Sequence, residues 1–430
     1  MNKLQAVLTN DMVRYSAGRA MQHPARSSKH RGSGTRSIQW VRPLEFLVIF
    51  LPTLQSYYFY NLGLAPFPAI ALLLIVLLCA LKGSTATRTD VTYAVGVLAL
   101  FGASCLWGAM RNPTGISVKN IVGTVMGPCF ALGLVSYFRH RTSALKTYLQ
   151  VTLIVHVVAI TVQYMAYYGF GFYLDLLAPI TGEPQRHVGA GLITGISRAT
   201  GLFNEPAVYA LFVITLLFML TRFREALSPL HIVALMTVLF NFSLLGLGLL
   251  VFFLSTYWLS SNVRMWAKVL ALALAVGVLQ FAFAERVIQN ASLRVDNILT
   301  NPASDGSYNS RFVDTWNFAS TLPAASRICG IGLGNIGEFL NYGSTYAFFL
   351  IYLGMAGTVV LLGLGVYYLR YVCSARVTVL VFIAILLAGT LMPTYMMFWL
   401  MVACTATLER EAGTGMTRRM RYVTWMQCIP

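Results

Sequence analysis

Leu202-Phe-Asn-Glu205-Pro206-Ala-Val-Tyr209-Ala-Leu-Phe-Val-Ile-Thr-Leu-Leu-Phe-Met-Leu-Thr-Arg222 decides the class of the molecule. No charged side chain lies between Glu205 and Arg222. About 20 apolar residues carry a helix across the hydrocarbon core of a bilayer, and this run has that length. Runs of the same kind recur at 44–62, 66–82, 91–110, 117–138, 145–169, 202–222, 229–243, 244–261, 265–284, 344–369, 376–391 and 394–409. The pattern predicts an all-α, polytopic membrane bundle of about twelve helices. The pairs 229–261 and 376–409 are each too long for one span and short for two. Asn241-Phe242-Ser243 and Gly389-Thr390 with Pro393 are the expected turns.

Composition agrees. The 430-residue chain is 57% hydrophobic and 10% charged, where soluble domains carry roughly 25% charged residues. The formal charge is +17, and its placement excludes nucleic acid as the reason. On the twelve-helix count the whole excess falls on the cytoplasmic side, and the other face carries as many acids as bases. That is the positive-inside rule. An odd number of helices between Gly201 and Glu285 breaks the pattern, so two helices are expected within 229–261.

Three regions follow. Residues 1–43 read as a basic, disordered cytoplasmic tail that touches anionic lipid. No apolar core or small-residue cleavage site precedes Pro43, so a signal peptide is not expected there. Residues 44–409 form the membrane domain, with two longer periplasmic loops at about 170–201 and 285–343. Residues 410–430 form a second cytoplasmic tail. Cys329 is the one thiol in an outer loop, so no disulfide framework is expected. No internal repeat supports an inverted-repeat transporter.

The two loops hold most of the ionisable residues able to do chemistry. In the first, Arg198 and Glu205 flank the entry to the 202–222 run. Pro206 suits a first helical turn, where its missing N–H loses no partner. Glu205 has two readings: a capping acid at a helix N-terminus, or a functional group at the membrane boundary. In the second loop, Ile288, Ala291, Val295 and Ile298 have helical spacing, which predicts an interfacial helix. Arg311 to Leu322 reads as a short helix stopped before Pro323, with Phe312 and Trp316 as its apolar face. Arg311 and Asp314 form an i, i+3 pair whose bland reading is a surface ion pair. Gly332-Leu-Gly334-Asn-Ile-Gly337 matches GxGxxG but lacks the strand and βαβ context of a dinucleotide site; the glycines are expected to serve a tight turn. Arg186, Arg198, Arg286, Arg294, Arg311 and Arg327 interleave with Tyr173, Tyr308, Trp316 and Tyr342. Permanently charged, bidentate arginines suit phosphate and aromatics suit sugar, although both also anchor loops at an interface. No metal site emerges, and no nucleophile motif lies on the outer face. His156 and Gln163 lie within a span, where a helix–helix hydrogen bond is the ordinary expectation.

Arg198-Ala-Thr-Gly-Leu-Phe-Asn-Glu205-Pro206 resembles a signature of Wzy-type O-antigen and exopolysaccharide polymerases. So do Ser310-Arg311, Gly330-Ile-Gly-Leu-Gly334, Tyr346 and Leu353-Gly-Met-Ala-Gly357. The likeness covers roughly 195–360 in motifs and the whole chain in hydropathy. It implies an inner-membrane enzyme, termini in the cytoplasm, that transfers a growing glycan from undecaprenyl diphosphate onto the next lipid-linked repeat. No cofactor or metal is implied. A flippase and a chain-length regulator are the implied pathway partners. The related O-antigen ligases carry a His-Asn pair where Gly343 and Ser344 stand here, which favours polymerase. The arginine repeat described for some polymerases starts at no outer arginine. On this resemblance Arg198 and Arg311, with Arg186, Arg327 and Tyr346, are the expected substrate-binding residues. Glu205 is the expected base, with Asp314 in reserve. The alternatives are a ligase-like transferase and a non-enzymatic transporter or flippase. A flippase predicts charges lining several spans, and the span interiors hold almost none. A scaffold or regulator predicts that the outer arginines tolerate substitution.

Overall fold

The computed structural model describes residues 41–54, 66–115, 117–176, 178–181, 199–203, 205–222, 225–241, 243–260, 300, 313–338, 345–372, 391, 393 and 395–410. Helices, turns and loops account for all of them, and no strand occurs among these described residues. The helices are α1 (Val41–Phe50), α2 (Pro66–Lys82), α3 (Arg88–Arg111), α4 (Val118–Phe138), α5 (Thr142–Tyr164), the short α6 (Ala178–Thr181), α7 (Pro206–Thr221), α8 (Pro229–Phe240), α9 (Leu244–Ser260), α10 (Asp314–Thr321), α11 (Ala324–Cys329) and α12 (Gly354–Val372). A further helix runs over 396–410. The predicted interfacial helix of 285–299 and the span 265–284 lie outside the described residues, as does most of 376–391.

The chain is a membrane protein. Four helical segments, Arg88–Arg111, Ile121–Phe138, Thr142–Gly169 and Phe348–Arg370, are long and apolar enough to cross a bilayer. Four shorter apolar helices accompany them. Large hydrophobic side chains face outward where a soluble protein would place charge. On α5, Val151, Ile154, Val158 and Val162 are exposed, at the three-to-four-residue spacing of one helical stripe. On α7 every residue from Tyr209 through Thr221 is buried. It is the inner helix, packed by α5, α8 and α9. A second group packs α3 against α4 and α12.

Local signals agree with the elements. Thr87 and Asp90 form a reciprocal capping box on α3, and Pro206 and Pro229 stand in the first turns of α7 and α8, where the ring replaces an N–H that has no helical acceptor. α10 stops one residue before Leu322-Pro323, as Pro requires. The 229–261 region is two helices. They reverse at 241–243, and the backbone amide of Leu227 meets the hydroxyl of Tyr257 at 3.2 Å, so α9 returns to the end from which α8 started. α8 has 12 residues, a rise of only about 18 Å.

The two ends of the bundle differ in chemistry. At one end three carboxylates each gather several helix termini. Glu45 on α1 meets Lys82 at the end of α2 (3.1 Å), Arg141 after α4 (3.5 Å), Tyr148 on α5 (2.6 Å) and the hydroxyl of Tyr137 on α4. Asp90 on α3 accepts from both Arg410 nitrogens (3.0 and 2.5 Å) and from the Tyr368 hydroxyl of α12 (2.9 Å). Glu225 joins Lys146 (2.8 Å) and Arg222 (2.5 Å). Arg222 is buried and left-handed at φ 49°. It donates to the Leu408 carbonyl at 2.7 Å, placing a cation at a helix C-terminus, where the dipole favours it. Burial alone would raise the Glu225 carboxyl, but hydrogen bonds from Lys146 and Arg222 hold it below its ordinary range. The opposite end carries the described parts of the two polar loops.

The expected continuous span 344–369 is instead broken. A π turn over Phe348–Leu353 ends at Gly354, whose φ is 66°, and α12 starts afresh. The freed carbonyls are not orphaned. Ile331 N–H donates to Ile351 O at 2.8 Å and Gly332 N–H to Tyr352 O at 3.1 Å. Non-helical backbone inside a membrane protein persists only with such partners.

Candidate functional site

The first half of the site is the strap 199–205, which leads into α7. Gly201 sits at φ 60°, and Phe203 N–H closes a turn onto Thr200 O at 3.1 Å. Phe203 is fully buried. Its ring stacks on His156 (4.9 Å between centroids) and packs edge-on to Phe212 (4.9 Å). Glu205 is half-buried and extended at the N-cap of α7, and its side chain makes no capping hydrogen bond. Glu205 thus stands at the helix N-terminus, as the capping reading has it, without a side-chain hydrogen bond to the cap.

Gln163, on the last turn of α5, holds this strap. Its side-chain oxygen accepts from Thr200 N–H (3.0 Å) and Gly201 N–H (2.7 Å). Its nitrogen donates to Gly201 O (3.3 Å) and to Leu174 O (3.1 Å), so one amide ties both described ends of the first loop to α5. Asn241, fully buried where α8 turns into α9, donates to Ala199 O at 3.1 Å. The helix–helix bond expected of Gln163 is thus a helix–loop clamp. His156 does reach a neighbouring element, the 3-10 turn after α1, through Thr53 Oγ1 at 2.9 Å. Tyr173 lies beside the strap. Burial, then the charge of Asp175, pushes its hydroxyl up to about 12. Asp175 caps α6 by accepting from Ala178 N–H at 2.9 Å.

The second half is built on glycines. Gly330 (φ 79°), Gly332 (φ 93°) and Gly354 (φ 66°) adopt backbone open only to glycine without strain. A Cβ on Gly330 would meet the Tyr352 carbonyl, one on Gly332 the backbone of Gly108, and one on Gly354 the Gly330 amide. Trp107 Nε1 donates to Gly330 O at 2.8 Å, and Asn335 Nδ2 donates to Gly108 O (2.9 Å) and Ile331 O (3.1 Å). The GxGxxG run is therefore a tight turn against the end of α3, as expected, with no strand before it among the described residues.

The expected site residues distribute as follows. Asp314 opens α10 and is half-buried; α10 packs on the π turn. Arg327 lies exposed in the last turn of α11. Tyr346 belongs to the helical turn before the break, with only its backbone described. Arg186, Arg198 and Arg311 lie outside the described residues. Of the apolar face expected on α10, Trp316 is 67% exposed while Thr315 is buried, and Phe312 lies outside the described residues. Among the described residues no cluster of His, Cys, Asp and Glu could hold a metal ion.

Sequence reasoning gave Trp107 no role, and it read Asn241 and Asn335 as turn residues and Gln163 as a helix–helix bond without the loop contacts each makes here. A single available signal was the placement of uncharged amides near span ends. No family model matches the chain, and no curated protein matches it.

Proposed function

We propose that this chain is a bacterial polysaccharide polymerase, joining undecaprenyl-diphosphate-linked oligosaccharide repeats at the periplasmic face of the inner membrane. The loop end faces the periplasm in this reading, and the end rich in Lys and Arg faces the cytoplasm, in keeping with the positive-inside rule. The bundle has about twelve spans, with both termini inside. One observation supports the reading: the described parts of the segments that resemble the polymerase signature, 199–203 with 205–206, 330–334 and 353–357, lie toward the loop end of the bundle, the last two packed glycine against glycine.

The reaction transfers a glycan. The acceptor hydroxyl attacks the anomeric carbon of the donor, and the bond from that carbon to the diphosphate oxygen breaks. Undecaprenyl diphosphate leaves with the electron pair. Arg198 and Arg311 hold the diphosphate and neutralise the charge that grows on it, which favours the transition state over the ground state. Arg186, Arg327 and Tyr346 extend the substrate contacts. Glu205 takes the proton of the acceptor hydroxyl, with Asp314 in reserve.

Deleting the gene and separating the lipid-linked and surface glycans tests this. Single repeats replacing long polymer support a polymerase. Polymer of unchanged length stranded on the lipid carrier identifies a ligase-like transferase, and single units trapped on the cytoplasmic face identify a flippase. In the deleted strain Arg198→Ala and Glu205→Gln should each fail to restore polymer. Normal polymer from both, at normal protein level, refutes the site.

A further inference from the structure

We infer that Gln163, assisted by Asn241, is a positioning residue for the strap that leads into α7 and carries Glu205. The inference rests on the reading of Glu205 as the base of a glycan transfer. Its ground is the geometry of the clamp. Gln163 is an amide on an apolar helix, 3% exposed, and the bonds it makes to the loop all go to backbone: two to Gly201, one to Thr200 and one to Leu174. A side-chain amide offers two acceptor sites and two donors, and this arrangement employs all four. Asn241 takes Ala199 O from the other side, and Phe203 is locked between His156 and Phe212.

Three successive stretches of the strap are thus held by three different helices, α8 at residue 199, α5 at 200–201, and α5 with α7 at 203. Arg198 directly precedes the first held residue, and Glu205 follows the last by two. α7 could form without this apparatus, because Pro206 and the apolar run already specify it. The clamp settles where the chain enters α7, and hence where Glu205 stands. A misplacement of about 1 Å in such a constellation costs on the order of 100-fold in rate.

Gln163→Met keeps the length and removes every hydrogen bond. Full-length protein in detergent is added to membranes of the deleted strain, whose accumulated lipid-linked repeats are the substrate, and rate is normalised to folded protein across pH. The expected result is a loss on the order of 100-fold, with the acid limb of the pH profile flattened relative to wild type. Amide hydrogen exchange at Thr200 and Gly201 should quicken while α5 and α7 stay protected. Wild-type rate, or a profile scaled down without change of shape, overturns the inference, because a purely structural role only reduces the number of working molecules. Should Gln163→Met fail to accumulate, Asn241→Leu is read by the same criteria. Glu205→Gln inactive beside an active Gln163→Met refutes the positioning role alone; an active Glu205→Gln refutes the reading beneath it.

Discussion

Asp90→Ala is expected to be among the most damaging single changes at the charged end. Asp90 is 2% exposed and accepts from Arg410 twice, from Tyr368, and from both the backbone and hydroxyl of Thr87. Truncation takes the Asp90 counter-charge from the Arg410 guanidinium, whose side chain is 19% exposed, and removes the acceptor of the Tyr368 hydroxyl. Breaking a buried pair from one side costs about 3–5 kcal/mol, and loss of the α3 cap is worth about 1 kcal/mol. These overlap, because Thr87 and Arg410 share the same carboxylate, so about 4 kcal/mol is the expected total. Arg410→Ala should cost less, since Thr87 and Tyr368 still donate to the remaining carboxylate. The double change Asp90→Ala with Arg410→Met should recover at least half of the loss, because no unpaired charge remains. Reversible unfolding in mixed micelles, titrated with SDS, measures all three. A single-mutant loss under about 1 kcal/mol would place Asp90 among ordinary surface pairs. A double mutant as unstable as Asp90→Ala would show that the penalty is lost packing instead.

Other expectations are simpler to state. Glu225 has its carboxyl held below the ordinary 4.5, so its stabilising effect is full above that pH and disappears as pH falls through the lowered folded value; with the side chain 42% exposed, the gain is at most about 1 kcal/mol. Glu225→Gln should remove this acid sensitivity, and equal acid profiles for the two proteins in pH-dependent melting would count against the pairing. Gly83 and Gly330 have similar positive φ, 73° and 79°, but only Gly330 has backbone where a Cβ would go. Gly83→Ala should therefore cost about 1–2 kcal/mol, and Gly330→Ala that amount plus about 1–3 kcal/mol of overpacking. Equal folded yields would refute the close approach to Tyr352. Gly127→Ala drives a Cβ into the Trp399 ring, and should lower the melting temperature and shift the intrinsic fluorescence. An unchanged emission spectrum would mean the ring is not confined there.

The helical class and the membrane environment were legible in the chain itself. Each depends on quantities local in sequence. An apolar run of about 20 residues has few alternatives to a membrane helix, Pro206 and Pro323 mark boundaries by excluding a backbone donor, and Asn241-Phe242-Ser243 interrupts a run at the point where α8 gives way to α9. The glycines of 330–334 were recognisable as a turn for the same reason. What they turn against was not legible. Gly332 meets Gly108, Gly330 meets Tyr352 and Gly354, contacts made by backbone atoms that no side-chain pattern encodes. The break at Gly354 is a tertiary fact: the π turn persists because loop amides of Ile331 and Gly332 take the carbonyls it releases. The role of Gln163 is the same kind of fact. An amide in an apolar span must find partners, which composition alone foretells, and the helix next door is the ordinary choice. That its partners are Thr200, Gly201 and Leu174 follows from the path of a loop over the end of α5. The sequence determines which segments are buried in lipid because burial is additive along a helix. Tertiary structure decides which residues share a site because hydrogen bonds join particular atoms across distances that the sequence does not record.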